Sequence, residues 1–197
     1  MPYSTDAVQN MPRRRLPGMQ ALVAHALVAG PLRGVDLTLT SGLTVLVGEA
    51  ECGASTLLRV LAGRQSPEAG VVTGGPSRFL GPPPGDDWDA SDVVVQAFGA
   101  AYLLGRRMGE MSSGERQRVR LAAVLADPAP VLLLDEPLGF LDSAGVGQVL
   151  QALKADGRAV LLVCKADGRA MEQADRVVAL ADGHLNDLSR QATPGGR

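Results

Sequence analysis

Apolar runs rich in valine and leucine recur along the chain and alternate with segments of helical spacing. Such runs are typical of buried strands, and they lie at residues 20–28, 35–39, 43–47, 130–134, 159–164 and 176–180. Apolar positions recur with helical spacing at residues 54–62, 113–126 and 143–154. An alternation of this kind predicts an α/β fold with a mixed, mainly parallel sheet flanked by helices.

The second apolar run differs from the others because polar residues interrupt it regularly. Residues 34–40 alternate between apolar and polar side chains and continue through Ser41 and Gly42 into the third run. This pattern predicts an antiparallel hairpin between the second and third runs. We therefore expect an N-terminal antiparallel β layer in addition to the parallel sheet.

Composition limits the domain organisation. A chain of 197 residues fits one α/β domain. With 46% hydrophobic but only 3% aromatic residues, its core must consist mainly of Val, Leu and Ala. We expect a single domain over residues 18–188, with flexible tails at 1–17 and 189–197. Three prolines and an acidic cluster make residues 81–89 a surface loop.

Charge and cysteine usage exclude several classes of function. The net charge of -2 gives no basic excess, so nucleic acid is not the expected partner. Two scattered cysteines, Cys52 and Cys164, form neither a disulfide framework nor a metal-binding pattern, which suits a reducing cytoplasm. The longest nearly uncharged stretch, residues 19–32, is too short to span a bilayer.

A glycine-containing turn connects the strand predicted at 43–47 to the helix predicted at 54–62. Gly48 and Gly53 lie five positions apart, and Ser55 and Thr56 open the helix. This is the skeleton of a P-loop, in which backbone N–H groups and a helix N-terminus bind phosphate. Ala54 stands where such a loop has its lysine. Taken alone, a glycine-rich turn of this kind is more often a purely structural feature.

A second segment ends an apolar strand in two carboxylates. Residues 131–134 are Val-Leu-Leu-Leu, and Asp135, Glu136 and Pro137 follow them. This arrangement places an aspartate on Mg²⁺ and a glutamate beside an attacking water. The alternative is a strand that ends in a solvated acidic turn.

A third segment combines small residues with a helix start. The sequence from Met111 to Val119 reads Met-Ser-Ser-Gly-Glu-Arg-Gln-Arg-Val. Ser112 and Glu115 have the spacing of a capping box, and the exposed N–H groups of such a helix start also suit an anion. A well-capped helix is sufficient to explain the segment by itself.

In this order, the three motifs and Leu141-Asp142 resemble the ATPase domains of the ABC family over about residues 19–187. The third segment resembles the family's LSGGQ signature, and the carboxylate-ended strand resembles its Walker B strand, which is followed by the D-loop. The resemblance implies an ATP-binding subunit that couples ATP binding and hydrolysis to transport by separate membrane subunits. It also implies a cytoplasmic location at the inner face of the membrane.

The resemblance assigns roles to individual residues. Ser55 and Asp135 are implied to bind Mg²⁺, and Glu136 is implied to be the general base. The residues implied to contact nucleotide are Gly48, Gly53, Ala54, Ser55, Thr56, Ser112, Ser113, Gly114 and Lys165. In the family two cassettes face each other, so Ser112 and Gly114 are implied to act on the nucleotide of a second cassette, in a homodimer or a heterodimer.

Several positions depart from the family pattern. Besides Ala54, Lys165 stands where the family has a histidine near the γ-phosphate, and prolines replace the glutamine expected after the strand near 78–80. No aromatic residue lies at 26–30 to stack on adenine, and the helical lobe at about 85–112 is shortened to one helix near 90–105 and a turn. Glu49 and Glu51 add negative charge to the loop.

The losses at the lysine, glutamine, histidine and adenine-stacking positions share one consequence, since in the family each of these residues serves the binding or hydrolysis of nucleotide. A lost charge-assisted phosphate contact typically costs about 1.5–3 kcal/mol, or roughly one to two decades in affinity. We therefore expect weakened or absent ATPase activity. The alternative is a non-catalytic regulatory or scaffold protein of the same fold that does not use ATP, and Lys165 is a candidate to restore part of the lost charge.

Overall fold

The computed structural model describes residues 21–81, 101–103, 105–165 and 167–189. The strands are β1 Leu22–Ala29, β2 Leu32–Leu39, β3 Gly42–Gly48, β4 Ala69–Gly74, β5 Ser77–Leu80, β6 Val131–Asp135, β7 Ala159–Cys164, β8 Arg176–Ala181 and β9 His184–Asp187. The α-helices are α1 Ala54–Leu61, α2 Ser113–Ala126, α3 Ser143–Asp156 and α4 Gly168–Gln173. Two 3₁₀ turns lie at Ala101–Leu103 and Met108–Glu110.

Two sheets organise the described residues. The larger sheet has the order β5-β6-β7-β3-β8-β9, in which only β9 runs antiparallel to its neighbour. The smaller sheet has the order β2-β1-β4 and is antiparallel throughout. The predicted α/β class, with a mainly parallel sheet and an N-terminal antiparallel layer, is confirmed.

The predicted hairpin between residues 34–40 and 43–47 is wrong. β2 pairs with β1 instead, in a register that sets Leu22 opposite Leu39. β3 lies between β7 and β8 in the centre of the larger sheet. The physical reason is burial: five consecutive residues of β3 are buried, which requires cover on both faces, whereas β2 has alternating exposed positions. Ser41 and Gly42 therefore connect two sheets rather than two paired strands.

The core has two layers, one on each face of the larger sheet. Along β3, Leu43 and Val45 belong to the layer that contains α2 and α3, whereas Leu46 belongs to the layer that contains α1, β1 and β2. β7 divides its apolar side chains in the same way. The continuous apolar runs that predicted these strands are thus explained by burial on two faces.

Parallel strands bring the motif-bearing segments to one edge of the sheet. β3, β6 and β7 are parallel, so their carboxyl ends lie together. The segments that follow these ends contain the glycine turn, the acidic pair and Lys165. This edge is where ligands bind in open α/β sheets.

Some sequence predictions fall on residues outside the described ranges. These are the tail at 1–17, nearly all of the tail at 189–197, the prolines at 82–84 and most of the helix predicted near 90–105; residues 101–103 form a 3₁₀ turn. Among the helices of the described ranges, none has both the length and the apolar character that membrane crossing requires.

Candidate functional site

The turn between β3 and α1 is tightly packed at both of its glycines. A Cβ atom on Gly48 would lie 2.5 Å from Cys52 Sγ and 3.0 Å from the Leu180 carbonyl oxygen. Gly53 precedes the helix with a φ of 102°, and a Cβ there would lie 2.7 Å from Pro31 Cγ. Both positions therefore require glycine, which is how this sequence forms a loop of phosphate-binding shape.

An open cavity of about 430 Å³ lies over this turn. It gathers eight of the predicted site residues: Gly48, Gly53, Ala54, Ser55, Thr56, Asp135, Glu136 and Lys165. Ser55 and Thr56 belong to the first turn of α1, where backbone N–H groups have no partner within the helix. The cavity thus has the shape and the unpaired donors that suit a phosphate group.

A wider cavity of about 1040 Å³ adjoins the first and shares the loop from Gly48 to Cys52 with it. Its other walls are the turn at Pro31 and the hairpin turn between β8 and β9. Residues 26–30, where the sequence has no aromatic side chain, belong to the end of β1 and this turn.

Ser55 and Asp135 meet although 80 positions separate them in the chain. Their side chains are hydrogen-bonded, and Asp135 is half-buried. Burial raises the pKa of Asp135 above its ordinary value, against the effect of the Ser55 hydrogen bond. A hydroxyl and a carboxylate at one point of a cavity are oxygen ligands of the kind Mg²⁺ prefers. This pair therefore fits the predicted metal site.

Glu136 has an unusual backbone conformation. Its φ of 45° lies in the left-handed region, which typically costs a non-glycine residue about 1–2 kcal/mol. Its N–H donates to the Val163 carbonyl oxygen at 3.0 Å, and Gly139 N–H donates to its carbonyl oxygen at 3.3 Å. The turn fixes the backbone at the end of β6, and the Glu136 side chain is exposed to solvent.

The signature segment lies away from this cavity. Ser112, Ser113 and Gly114 are absent from its lining, and both serines are exposed. The predicted capping box is confirmed: Glu115 N–H donates to Ser112 Oγ at 3.2 Å, and Ser112 N–H donates to Glu115 Oε2 at 2.8 Å. The latter bond is the main reason that the pKa of Glu115 is lowered.

The signature lies beside the turn that follows Glu136. A Cβ on Gly114 would lie 3.0 Å from the Phe140 carbonyl oxygen. The side chain of Phe140 is 79% exposed. None of Ser112, Ser113, Gly114 and Phe140 lines the phosphate-loop cavity of the same chain.

A buried polar network, which the sequence did not reveal, connects the signature helix, α2, to the acidic turn at residues 135–137. Gln117 Nε2 donates to the Pro137 carbonyl oxygen at 2.7 Å, and Arg120 Nη1 donates to Gln117 Oε1 at 2.9 Å. Arg120 also donates to the Gly81 carbonyl oxygen. Both side chains are buried. Polar residues on a helix are ordinarily expected at the surface, so only the tertiary partners explain this pair.

The side chains around the phosphate-loop cavity are more acidic than basic. Among the described residues that line it are four carboxylates, Glu49, Glu51, Asp135 and Glu136, and two cations, Arg59 and Lys165. Burial raises the pKa of the Cys164 thiol to about 11, so it adds no charge at neutral pH. The missing lysine at position 54 is therefore not offset by an excess of other cations.

Arg59 is the lining cation that the sequence analysis missed. Its Nη2 donates to Thr56 Oγ1 at 3.3 Å. Its spacing in the sequence could have revealed it: Arg59 lies four positions after Ser55 and three after Thr56, which places it on the same face of α1.

Comparison with known proteins provides independent information on this fold. Residues 86–139 match the model of the family described as ABC transporter. The chain is 32% identical over 200 residues to the aliphatic sulfonates import ATP-binding protein SsuB of Pseudomonas putida, covering 83% of this chain and 74% of that one. It is 34% identical to a protein of the same description from Pseudomonas aeruginosa, covering 78% and 68% of the two chains.

Solved structures show the same fold. A structure described as the ATP binding subunit of an ABC transporter aligns with a TM-score of 0.77 at 18% identity, covering 86% of this chain and 91% of that one. A metal-chelate type ABC transporter in an inward-facing conformation aligns with a TM-score of 0.72 at 20% identity, covering 86% and 83%.

Proposed function

Because the chain belongs to the family of ABC-transporter ATP-binding subunits, we propose that it serves an ABC-type transporter and that its own ATPase activity is weak. In this proposal residues 18–188 form the cassette, which acts in the cytoplasm against the inner face of a membrane. Separate membrane subunits move the substrate. The observation that supports weak activity is Ala54, which lines the phosphate-loop cavity where the family pattern has lysine.

The residues of the cavity have separate tasks in this proposal. The backbone from Gly48 through Gly53 and Ala54 surrounds the phosphates, and Thr56 contacts them from the first turn of α1. Ser55 and Asp135 bind Mg²⁺, which neutralises phosphate charge when it is present. Glu136 accepts the proton of the attacking water, and Lys165 lies at the γ-phosphate. Support comes from their convergence on one cavity.

The loss of the lysine's positive charge at position 54 weakens the binding of nucleotide. A charge-assisted bond to phosphate typically contributes about 1.5–3 kcal/mol, which corresponds to roughly one to two decades in affinity. Glu49 and Glu51 are exposed at the cavity, and they add repulsion toward a polyphosphate. Hydrolysis is slowed as well, because the same lysine charge would stabilise the transition state.

A second cassette completes the arrangement. Ser112, Ser113 and Gly114 are not part of this chain's own cavity, so we propose that they act on a nucleotide bound by the facing cassette. That cassette is either a second copy or a different chain that retains the lysine. In the second case the intact signature serves the competent partner, and copurification of a lysine-bearing cassette is the expected observation.

ATP turnover tests the proposal. We expect slow or undetectable phosphate release from the wild-type chain and a rise of at least tenfold for Ala54→Lys, because the restored charge should contribute a decade or more. Adding Glu136→Gln to that variant should remove the gain, which serves as the control for a contaminating ATPase. Rapid wild-type turnover, or no gain in Ala54→Lys, would contradict the assignment of weakness to position 54.

The acidic balance of the cavity also favours a second candidate, a regulatory or scaffold protein that does not use ATP. Thermal unfolding with Mg-ATP separates the two. A ligand at one hundred times its dissociation constant adds about 2.7 kcal/mol of stability. A rise in Tm at millimolar Mg-ATP favours the transporter subunit, whereas an unchanged Tm favours the scaffold.

A further inference from the structure

Arg59 lies one helical turn beyond the phosphate loop and faces the cavity. It belongs to α1, its side chain is exposed, and it contributes to the cavity lining together with Ser55 and Thr56. Long side chains on a helix extend toward its N-terminus. The contact between Arg59 Nη2 and Thr56 Oγ1, at 3.3 Å, shows that this side chain does so.

The charge of Arg59 is available to a ligand. Its hydrogen-bond partner Thr56 is neutral, and no carboxylate of the described residues forms a salt bridge with it. An exposed arginine that bonds only to a neutral hydroxyl can exchange that bond for one to an anion, because an anionic oxygen also attracts the guanidinium by its charge.

Arg59 shares the cavity with the candidate Mg²⁺ ligands. Ser55, Asp135 and Arg59 all line it. Lys165 is the other lining cation of the described residues, but it follows β7, whereas the guanidinium of Arg59 contacts Thr56 in the first turn of α1. Arg59 is therefore the lining cation that lies beside the helix start.

We propose that Arg59 binds the phosphate oxygens of a nucleoside triphosphate and supplies part of the positive charge that Ala54 cannot. This proposal rests on the proposed function, since it requires a nucleotide in the cavity. A guanidinium group suits the task because it can donate two parallel bonds to a phosphate. Arg59 differs from a loop lysine in its position, because its side chain reaches the cavity from the second turn of α1 and not from the loop.

Calorimetric titration of the full chain with Mg²⁺ and a non-hydrolysable ATP analogue tests the proposal. Arg59→Gln should weaken binding about tenfold or more, as expected for one lost charge-assisted contact. Binding of adenosine monophosphate, which has fewer phosphate oxygens, should change less. In the Ala54→Lys background the effect of Arg59→Gln should shrink, because the new lysine supplies the same charge.

Arg64→Gln is the matched control. Arg64 is also an exposed arginine, three residues beyond α1, but it stacks over the Phe79 ring at 4.8 Å and does not line the cavity. Its removal should leave the affinity for the analogue unchanged. Lys165→Gln, measured in parallel, separates the contribution of the second lining cation.

Two results would overturn the proposal. One is equal affinity of Arg59→Gln and Arg64→Gln for the analogue, and the other is a wild-type chain that binds no analogue at millimolar concentration. A different pair of results would show that only the proposed weak activity is wrong. In that case Ala54→Lys does not raise ATP turnover above that of the wild type, but Arg59→Gln still weakens binding of the analogue.

Discussion

Replacing Gln117 by leucine should disrupt the connection between the signature helix and the acidic turn. Gln117 is 5% exposed and bonds to the Pro137 carbonyl oxygen at 2.7 Å and to Arg120 at 2.9 Å. Leucine has a similar size but can form neither bond. A buried carbonyl and a buried guanidinium then each lose a partner, although Arg120 keeps its bond to the Gly81 carbonyl oxygen.

The cost can be worked from these contacts. An unsatisfied buried carbonyl typically costs about 1–3 kcal/mol, and a lost bond to a charged group about 1.5–3 kcal/mol. The additional apolar burial of leucine offsets about 1–2 kcal/mol. These ranges centre on a fall of about 3 kcal/mol in the free energy of unfolding.

Urea unfolding measures this change, and Arg118→Met is the matched control. Arg118 lies on the same helix, but its contact with Asp142, at 3.4 Å, joins a partly exposed arginine to an exposed carboxylate. Exposed pairs of this kind contribute about 0.2–1 kcal/mol. The double variant Gln117→Leu/Arg120→Met should be less destabilised than the sum of the single variants. A loss below about 1 kcal/mol for Gln117→Leu, or strict additivity, would refute the inferred network.

Three further predictions concern stability. Arg158→Met should cost about 3–5 kcal/mol in urea unfolding, because the buried Asp156 carboxylate loses the partner that donates to it at 2.5 and 2.7 Å; a cost below 1 kcal/mol would count against this. Ser112→Ala should cost about 1 kcal/mol by the loss of the confirmed helix cap, and an unchanged urea midpoint would argue otherwise. Asp135→Asn should raise Tm near pH 7 without Mg²⁺, because burial raises the pKa of Asp135 above 3.8 and so makes its ionised form unfavourable in the folded chain. The gain in Tm should vanish below pH 3.8, where the carboxyl is protonated in both the folded and the unfolded chain. A gain that does not depend on pH would contradict this assignment.

The main elements of the fold could be predicted because burial on two faces leaves a simple pattern. The apolar runs of β3, β6 and β7 marked the central strands, and helical spacing marked α1, α2 and α3. Pairing partners were harder, since the sequence order of β2 and β3 suggested a hairpin that burial of β3 on both faces rules out. β4 was not predicted, because most of its residues are exposed and two are glycine, so no apolar alternation exists.

The site could be predicted in part for a related reason. Residues after the carboxyl ends of parallel strands must lie near each other, so the loop, Asp135, Glu136 and Lys165 line one cavity. The Gln117–Arg120 network and the contact between Arg59 and Thr56 depend on side-chain directions and tertiary partners. The helical spacing of both pairs is visible in the sequence, but it does not show which side chains are buried or which line a cavity.

The affinity of the chain for Mg-ATP, measured by calorimetry for the wild type and for Ala54→Lys, tests the central claim most directly. Our account predicts weak wild-type binding and affinity about ten to a hundred times higher in the variant, as one charge-assisted phosphate contact provides. Equal affinity of the two proteins would contradict it.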